Sequence, residues 1–399
     1  MIAYRFKLYR TDKTKHIDKM LREAAWVWNH CLAIQKRYYR MTGKYANSVE
    51  MQKHFAKRYK PTYLHSQSVQ EIIQRLDESY QRFFKHIAIR PPKFRKAKDF
   101  TSVVFKQGGF KIADNRFTIN KIRKTFKFSK SRDIEGKIKR VTIKRNTLGE
   151  YFIVITTDAE PAHYIKSHNG AGVGMDFGLK KYLTLSDGTS VDCPQYLKDR
   201  LSEYRRLSRN LSKCQKGSNN RERKRKQIDR LFLDIKHKRD EFQWQLAHTL
   251  CRKYDLICME DLNLKGMCVR WGRKMSDLSF SEFASKLEYV ASKYGVTVHK
   301  IDRFYPSSKT CSHCGHIYKT LRLSERSWNC PKCGTVLDRD LNASVNIYRK
   351  GVSDLGSDSK SPLGFVPIDA VALATQESPQ ALAVGVRQIK PIFVLSRCK

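Results

Sequence analysis

Acidic side chains are scarce in this chain: 38 Asp and Glu stand against 79 Lys and Arg over 399 residues, a net charge of +41. No run of 18 apolar residues occurs, which excludes a membrane-spanning helix. No amphipathic anchor or lipidation signal accompanies the basic charge either, which argues against a polybasic membrane-surface protein. A signal peptide is also missing, because the first nine residues alternate apolar and polar like a strand. Nor is there a paired cysteine framework. Eleven cysteines is an odd count, and Cys31, Cys193, Cys214, Cys251, Cys258, Cys268 and Cys398 are scattered, a pattern that fits a reducing cytoplasm and not a disulfide scaffold. What remains in excess is positive charge. Such an imbalance self-repels unless a polyanion neutralises it, so nucleic acid is the expected partner.

The length allows two to four domains with real cores. Residues 2–8 read as a strand with Ile2, Tyr4, Phe6 and Leu8 on one face. Ile17, Leu21, Ala24, Trp28, Cys31 and Leu32 recur at helical spacing and predict a helix over 13–40. Val69, Ile73, Leu76, Tyr80, Phe83, Phe84 and Ile87 predict a second helix over 66–89, ended by Arg90-Pro91-Pro92. Short strands follow at Val103–Phe105, Arg116–Ile119, Thr125–Phe128, Val141–Lys144 and Tyr151–Ile155. They predict a small barrel that strand 2–8 rejoins, with the helical block as an insertion. From Gly170 a second architecture begins. Strand Gly172–Gly178 leads to Tyr182–Leu185 and a hairpin at Asp187-Gly188, then to two basic helices over 195–215 and 221–253. Strand Tyr254–Glu260, helix Phe280–Tyr294, strand Val296–Ile301 and helix Asn342–Arg349 complete it. The last 48 residues carry five basic and four acidic side chains, so residues 1–351 hold +40 of the charge. That tail, rich in Gly, Pro, Ser and Ala, reads as a poorly ordered extension.

Three acids fall at telling places: Asp176 and Glu260 at the ends of apolar strands, Asp340 at the head of a helix. Strand, strand and helix with one carboxylate each is the layout of an RNase H-like fold, whose central strands bring distant acids to one spot. Two Mg²⁺ ions about 4 Å apart suit phosphodiester hydrolysis there, with Mn²⁺ as an alternative. Neighbouring Asp338 reads as a helix cap and Asp187 as a turn residue.

Four cysteines have metal spacing. Cys311-x2-Cys314 and Cys330-x2-Cys333 are separated by fifteen residues, as in a zinc ribbon. Gly315 and Gly334 follow each pair, where a tight knuckle needs freedom from Cβ strain. Four thiolates close the coordination shell, so the Zn²⁺ is expected to be structural. Basic residues cluster twice, at Arg90, Lys93, Arg95, Lys96 and Lys98, and along Arg221–Lys226 with Lys236, Lys238 and Arg239; both read as phosphate-contacting surfaces.

The motifs Gly174-Met-Asp176-Phe-Gly178, Met259-Glu260-Asp-Leu262, Tyr305-Pro-Ser-Ser-Lys-Thr-Cys311, Trp328-Asn-Cys330-Pro-Lys-Cys333-Gly334 and Asp338-Arg-Asp340-Leu-Asn-Ala343 together resemble the TnpB family. These are insertion-sequence RNA-guided nucleases related to type V CRISPR effectors. The resemblance runs to about Lys350 and includes Trp28-Asn29-His30 and Phe94-Arg95-Lys96. It implies a multidomain α/β chain: a wedge β-barrel over 1–9 and 91–168, a helical recognition domain over 10–90, a RuvC-like nuclease domain over 169–307 and 337–350, a zinc ribbon over 308–336 and a tail over 351–399. It implies a RuvC-type site of Asp176, Glu260 and Asp340, a guide RNA from the element's end, a double-stranded DNA target, a monomer as the working state, and action at the prokaryotic nucleoid. Gln70 falls where the family reads a short motif flanking the target. One departure is visible: the family's Asp-Phe-x-His-Lys is here Glu241-Phe242-Gln243-Trp244-Gln245, which bears on a nearby nucleic-acid contact and leaves the acids untouched. Family coding regions commonly overlap the guide sequence, which accounts for the tail's composition.

Other readings stay open at this level. A guided regulator would bind without cutting, an unguided RNase H-like nuclease or transposase would need no RNA, and a miniature type V effector would share every motif.

Overall fold

The computed structural model describes residues 1–106, 108–160, 163–164, 166–261, 272, 277–322 and 324–356. The tail predicted as poorly ordered from residue 351 is helical as far as Gly356, because Gly351 packs on Cys258 and carries the last helix on; the rest of it, with Cys398, and also Cys268, lie outside the described residues. The strands are β1 (Ile2–Lys7), β2 (Ser102–Phe105), β3 (Phe110–Ala113), β4 (Arg116–Ile119), β5 (Lys124–Lys127), β6 (Ile138–Arg145), β7 (Tyr151–Thr157), β8 (Gly172–Phe177), β9 (Lys181–Leu185), β10 (Ser190–Asp192), β11 (Leu256–Glu260), β12 (Thr297–Ile301), β13 (Ser327–Asn329) and β14 (Val336–Asp338). The helices are α1 (Lys15–Thr42), α2 (Ser48–Arg58), α3 (Ser66–Phe84), α4 (Tyr196–Asp199), α5 (Leu201–Ser212), α6 (Asn219–Lys253), α7 (Phe280–Tyr294) and α8 (Arg339–Gly356). Two compact units result: Met1–Lys166, Cys193–Arg252 and Leu264–Val296 in one, Ser167–Asp192, Lys253–Asn263 and Thr297–Lys399 in the other. None of the described helices is long and apolar enough to cross a membrane.

In the first unit, β1 pairs with β7 from Ile2↔Thr157 to Lys7↔Phe152. The sheet order is β1-β7-β6-β2. Its inward residues, Tyr4, Phe6, Leu8, Val141, Ile143, Ile153 and Ile155, share one core with Ile17, Leu21, Trp28 and Leu32 of α1 and Val69, Ile73 and Leu76 of α3. The period of two in the strands meets the period of 3.6 in the helices. β3, β4 and β5 make a separate antiparallel meander, touching the larger sheet through the bridge Leu8↔Phe128. The seven strands thus form two sheets; among the described residues no continuous ladder closes them into the barrel the pattern predicts, because the four-residue strands β2 to β5 offer little edge to pair.

Helix α3 ends five residues earlier than its apolar stripe predicts. His86 takes a positive φ of 54°, and Ala88 N–H donates to the Arg82 carbonyl, so the chain unwinds and Ile87 points to solvent. Helix α2 escapes the periodicity reading because it is short and polar. Its signal is a capping box: Asn47 accepts from Val49 and Glu50 N–H, and Glu50 accepts from Asn47 N–H.

The second unit is a five-stranded sheet in the order β10-β9-β8-β11-β12. β8 runs antiparallel to β9 and parallel to β11, which is parallel to β12. Asp187 closes the hairpin as expected, accepting from the Thr189 N–H and hydroxyl. Burial alone would raise its pKa, but hydrogen bonds from Lys253, Thr189 and Tyr254 overcome it and hold the group at about 2.

One face of β8 carries Gly172, Gly174 and Asp176, and α8 lies directly on it. A Cβ on Gly174 would sit 2.1 Å from the Ser344 carbonyl oxygen and 2.6 Å from the Tyr348 nitrogen; one on Gly172 would sit 2.5 Å from the Tyr348 ring. At the far end of α8, Gly351 makes the same kind of approach to the Cys258 sulfur of β11, where an added Cβ would stand at 2.3 Å. Leu256, Cys258, Ile301, Ile347 and Tyr348 fill the layer between helix and sheet. Only glycine lets two backbones come this close. Gly174→Ala therefore meets main-chain atoms that cannot swing aside, and we expect a stability loss of about 1–3 kcal/mol or more, read as a lower denaturation midpoint in urea; an unchanged midpoint would contradict this packing.

Candidate active site and zinc ribbon

The strand register brings the first two acids together. Met175 pairs with Met259 across the parallel β8–β11 ladder, so Asp176 and Glu260 are the next residues of adjacent strands and share a face. The third acid arrives by helix geometry. Tyr348 lies over Gly172 and Ser344 over Gly174; stepping back four more residues along α8 reaches Asp340, and two more along β8 reaches Asp176. A four-residue helical step is about 6 Å and a two-residue strand step about 6.6 Å, so the two ladders stay in phase and Asp340 arrives at Asp176. Asp338 caps the helix as expected, its Oδ1 accepting from Asp340 N–H at 3.0 Å and Leu341 N–H at 2.9 Å.

The electrostatics register this convergence. Burial first, then the Glu260 and Asp340 charges, push the Asp176 pKa well above the carboxylate range; Arg339 and the Phe177 N–H oppose them. Burial also raises Glu260, against the Ser307 hydroxyl, which donates to its Oε1 at 2.5 Å. Asp340 accepts from Arg326 Nη1 at 3.2 Å. Among the described residues, the four cysteines are the cluster whose ligand atoms already stand within a single ion's reach; of the acids, Glu260 is held by Ser307 and Asp340 by Arg326. Hard oxygen donors on two strands and a helix, with the Glu260 and Asp340 charges disfavouring that of Asp176, are a donor set that divalent cations with retained waters would suit.

The cysteines fit zinc closely. Their four sulfurs lie within 4.8 Å of one another, with Cys311–Cys333 at 3.7 Å and Cys314–Cys330 at 3.5 Å. Zn–S bonds of 2.3 Å in a tetrahedron require about 3.8 Å. Gly315 and Gly334 have φ of +72° and +71°, and their N–H groups close the knuckles onto the Cys311 and Cys330 carbonyls at 2.9 and 2.8 Å.

The ribbon is fastened to the helix that carries Asp340. Asn342 donates to the Thr310 carbonyl at 2.8 Å and accepts from Ser312 N–H at 2.8 Å. Asn346, one turn on, donates to the Ser307 and Thr310 carbonyls at 2.8 and 2.6 Å. Arg339 reaches the Arg322 carbonyl at 2.7 Å and the Ser308 hydroxyl at 3.3 Å. Ser307, Arg326, Arg339 and Asn346 were not singled out from sequence. The readable signal was two asparagines at i and i+4 on an apolar helix face, where an amide is kept only if its partners are present; both are buried.

The basic candidates fall in the first unit. Gln70 is exposed on α3, between Gln67, which accepts from Gly108 N–H at 2.9 Å, and Gln74, which accepts from Lys106 Nζ at 2.7 Å. Lys93, Arg95 and Lys96 are exposed. Their loop is pinned to α1: Asn29 exchanges two 2.8 Å hydrogen bonds with the Arg95 backbone, Trp28 Nε1 donates to the Lys93 carbonyl at 3.1 Å, and the Arg95 guanidinium lies 4.3 Å from the Trp28 ring. Arg239 turns inward, 3.3 Å from the Asp277 carbonyl and 3.8 Å from Glu282. Trp244 meets the edge of Tyr289 with centroids 5.8 Å apart, beneath the Lys286 ammonium. Gln245 stays exposed and reaches Glu241 Oε1 at 3.4 Å.

Purified chain should carry one zinc per molecule by atomic emission, and Cys330→Ser should lose it. Because Asn342 is one of the two amides that tie ribbon to helix, Asn342→Ala should lower stability by about 1–3 kcal/mol while keeping the zinc. Full zinc in the cysteine variant would exclude the four-thiolate site.

Comparison with known proteins agrees with this geometry. A family model described as "Probable transposase" (OrfB_IS605) matches residues 155–270, a "Cas12f1-like, TNB domain" model matches 280–347, and a "Helix-turn-helix domain" model of OrfB_IS605 matches 1–44. A Streptomyces pristinaespiralis protein named "Putative RNA-guided DNA endonuclease" is 29% identical over 293 residues, 71% of each chain. InsQ of Escherichia coli (strain K12), given the same description, is 27% identical over 307 residues, covering 72% of this chain and 74% of that one. TnpB-like protein L79 of Acanthamoeba polyphaga mimivirus is 28% identical over 235 residues, 54% of this chain and 44% of its own. In fold, the chain is similar to Cas12f1 in its cryo-EM complex with sgRNA and target DNA, with TM-score 0.57 and 16% identity over 85% of this chain and 83% of that one. The matched segments take in β1 and all of α1, the strands bearing Asp176 and Glu260, the cysteine knuckles and Asp340, and along them the chain is similar to OrfB_IS605 transposase models and to TnpB-like proteins.

Proposed function

We propose that this chain is an RNA-guided DNA endonuclease of an insertion sequence, hydrolysing double-stranded DNA beside a short flanking motif. The observation that carries the reading is the convergence of Asp176, Glu260 and Asp340 on one face of the sheet, in a chain of charge +41. The similarity to named endonucleases supports the same conclusion.

In this reading residues 169–307 and 337–350 are a RuvC-type, RNase H-like nuclease domain. Residues 308–336 are a zinc ribbon holding structural Zn²⁺ on Cys311, Cys314, Cys330 and Cys333. The strands of 1–9 and 91–168 act as the wedge domain and the helices of 10–90 as the recognition domain. Guide pairing reads the target sequence, while the protein reads heteroduplex shape and the flanking motif. Gln70, held between two glutamines that are tied to the β2–β3 loop, is the residue assigned to that motif. Lys93, Arg95 and Lys96 contact phosphates.

Two divalent cations, Mg²⁺ or Mn²⁺, held by Asp176, Glu260 and Asp340, would supply the positive charge that favours water attack and departure of the 3′-oxygen. The chain's own residues do the rest. Ser307 fixes the Glu260 carboxylate in one orientation. Arg326, beside Asp340, offers a planar guanidinium that matches phosphate oxygens. Asn342 and Asn346 hold the ribbon so that Arg326 stays at the helix end.

Asp176→Ala should reduce guided cleavage of a plasmid target to background, while guide binding and target binding persist in gel-shift assays. Undiminished cutting by that variant would refute the site. Stripping copurified RNA should silence the wild-type enzyme; activity surviving that treatment would mark an unguided nuclease instead.

A further inference from the structure

Phe304 is 87% exposed, on a short turn that is built to keep it there. Tyr305 turns inward and packs against the layer of Leu256, Cys258, Ile301, Ile347 and Tyr348, and Pro306 limits the backbone beyond it. With its neighbour committed to the core, Phe304 cannot fold back. The turn is closed by Asp302, whose Oδ1 accepts from Phe304 N–H at 2.7 Å and whose carbonyl accepts from Tyr305 N–H at 3.2 Å.

Both flanks of this turn are tied to the end of β11, where Glu260 stands. Arg303 donates to the Asp261 carbonyl at 2.9 Å and carboxylate at 2.5 Å. Ser307 donates to Glu260 at 2.5 Å, while its carbonyl accepts from Asn346. Single exposed apolar side chains are ordinary on protein surfaces. A phenylalanine between Arg303, tied to Asp261, and Ser307, tied to Glu260, is a different matter, because the turn that carries it is anchored to the strand end bearing Glu260.

The geometry points to Phe304 as a stacking platform for an unpaired nucleobase of the DNA strand being cut. This rests on the endonuclease reading above. A strand lying across the acids presents its phosphates to Arg326 and the carboxylate-bound cations and must put its bases elsewhere. An exposed ring on a turn anchored at the end of β11 takes one base face without regard to sequence, as guided cutting of arbitrary targets requires. Arg303, locked on Asp261, leaves the ring to act by stacking.

The test is single-turnover cleavage of a guided target in which an abasic nucleotide is placed in turn near the scissile phosphate, for wild type, Phe304→Ala and Phe304→Trp. We expect one abasic position to slow the wild type roughly ten-fold. Phe304→Ala should be slowed equally on the intact strand and be indifferent to that abasic position, while Phe304→Trp cuts at wild-type rate and regains the sensitivity. Melting temperature and guide binding should match among the three proteins, since the ring buries little. Intact-strand cleavage by Phe304→Ala at the wild-type rate, or losses from the variant and the abasic position that multiply, would overturn the stacking role. A wild type that cuts no guided target would overturn the endonuclease reading itself, a separate outcome.

Discussion

The contact between α8 and β8 sets where Asp340 stands relative to Asp176 in the second unit. Gly172 and Gly174 remove the side chains that would hold the helix off the strand; the Tyr348 ring fills the space over Gly172, and the Ser344 and Tyr348 backbone the space over Gly174. Because the strand and helix steps nearly coincide in length, contact at two glycines fixes the third rung, where Asp176 and Asp340 stand. Any methyl group in that seam acts on the acids as a lever, since the helix is rigid and its N-terminus carries Asp340.

Convergence of this kind has an electrostatic cost that the fold distributes among neighbours. Asp176 is raised by burial and by both other acids, Glu260 leans on Ser307, and Asp340 on Arg326 and on the positive end of its own helix. The same helix holds the zinc ribbon through Asn342 and Asn346. The cysteine knuckles thereby gain a function that their coordination shell alone does not give them: they fix the loop that presents Arg326. The cysteine sulfurs are soft donors and the three carboxylates hard ones, yet the ribbon that carries the sulfurs and Asp340 are joined mechanically by one helix.

Much of this was legible before any coordinates. The periodicity of two in β1 and of 3.6 in α1 reported their buried faces, since residues such as Phe6, Trp28 and Leu32 have no other way to leave water. Cysteine spacing located the ribbon, and the glycines after each pair are at the positive φ angles that such knuckles demand. Where the reading failed, the cause was local. Helix α2 has too little apolar content to show a stripe. Helix α3 stops at Phe84, just ahead of His86, whose left-handed conformation no pattern of apolar positions announces. The strands around β3 to β5 are too short for alternation to tell a meander from a barrel.

The amino-acid sequence by itself determined the excess of positive charge, the four zinc-spaced thiolates and the three acids at element ends, because charge, ligand type and hydrophobic period are local properties. Only the tertiary structure decided which groups those acids meet. Ser307 meets Glu260 across 47 residues, Arg326 meets Asp340 across 14, and the glycine seam joins parts of the chain more than a hundred residues apart; the longer pairings exist only once β8, β11 and α8 have packed.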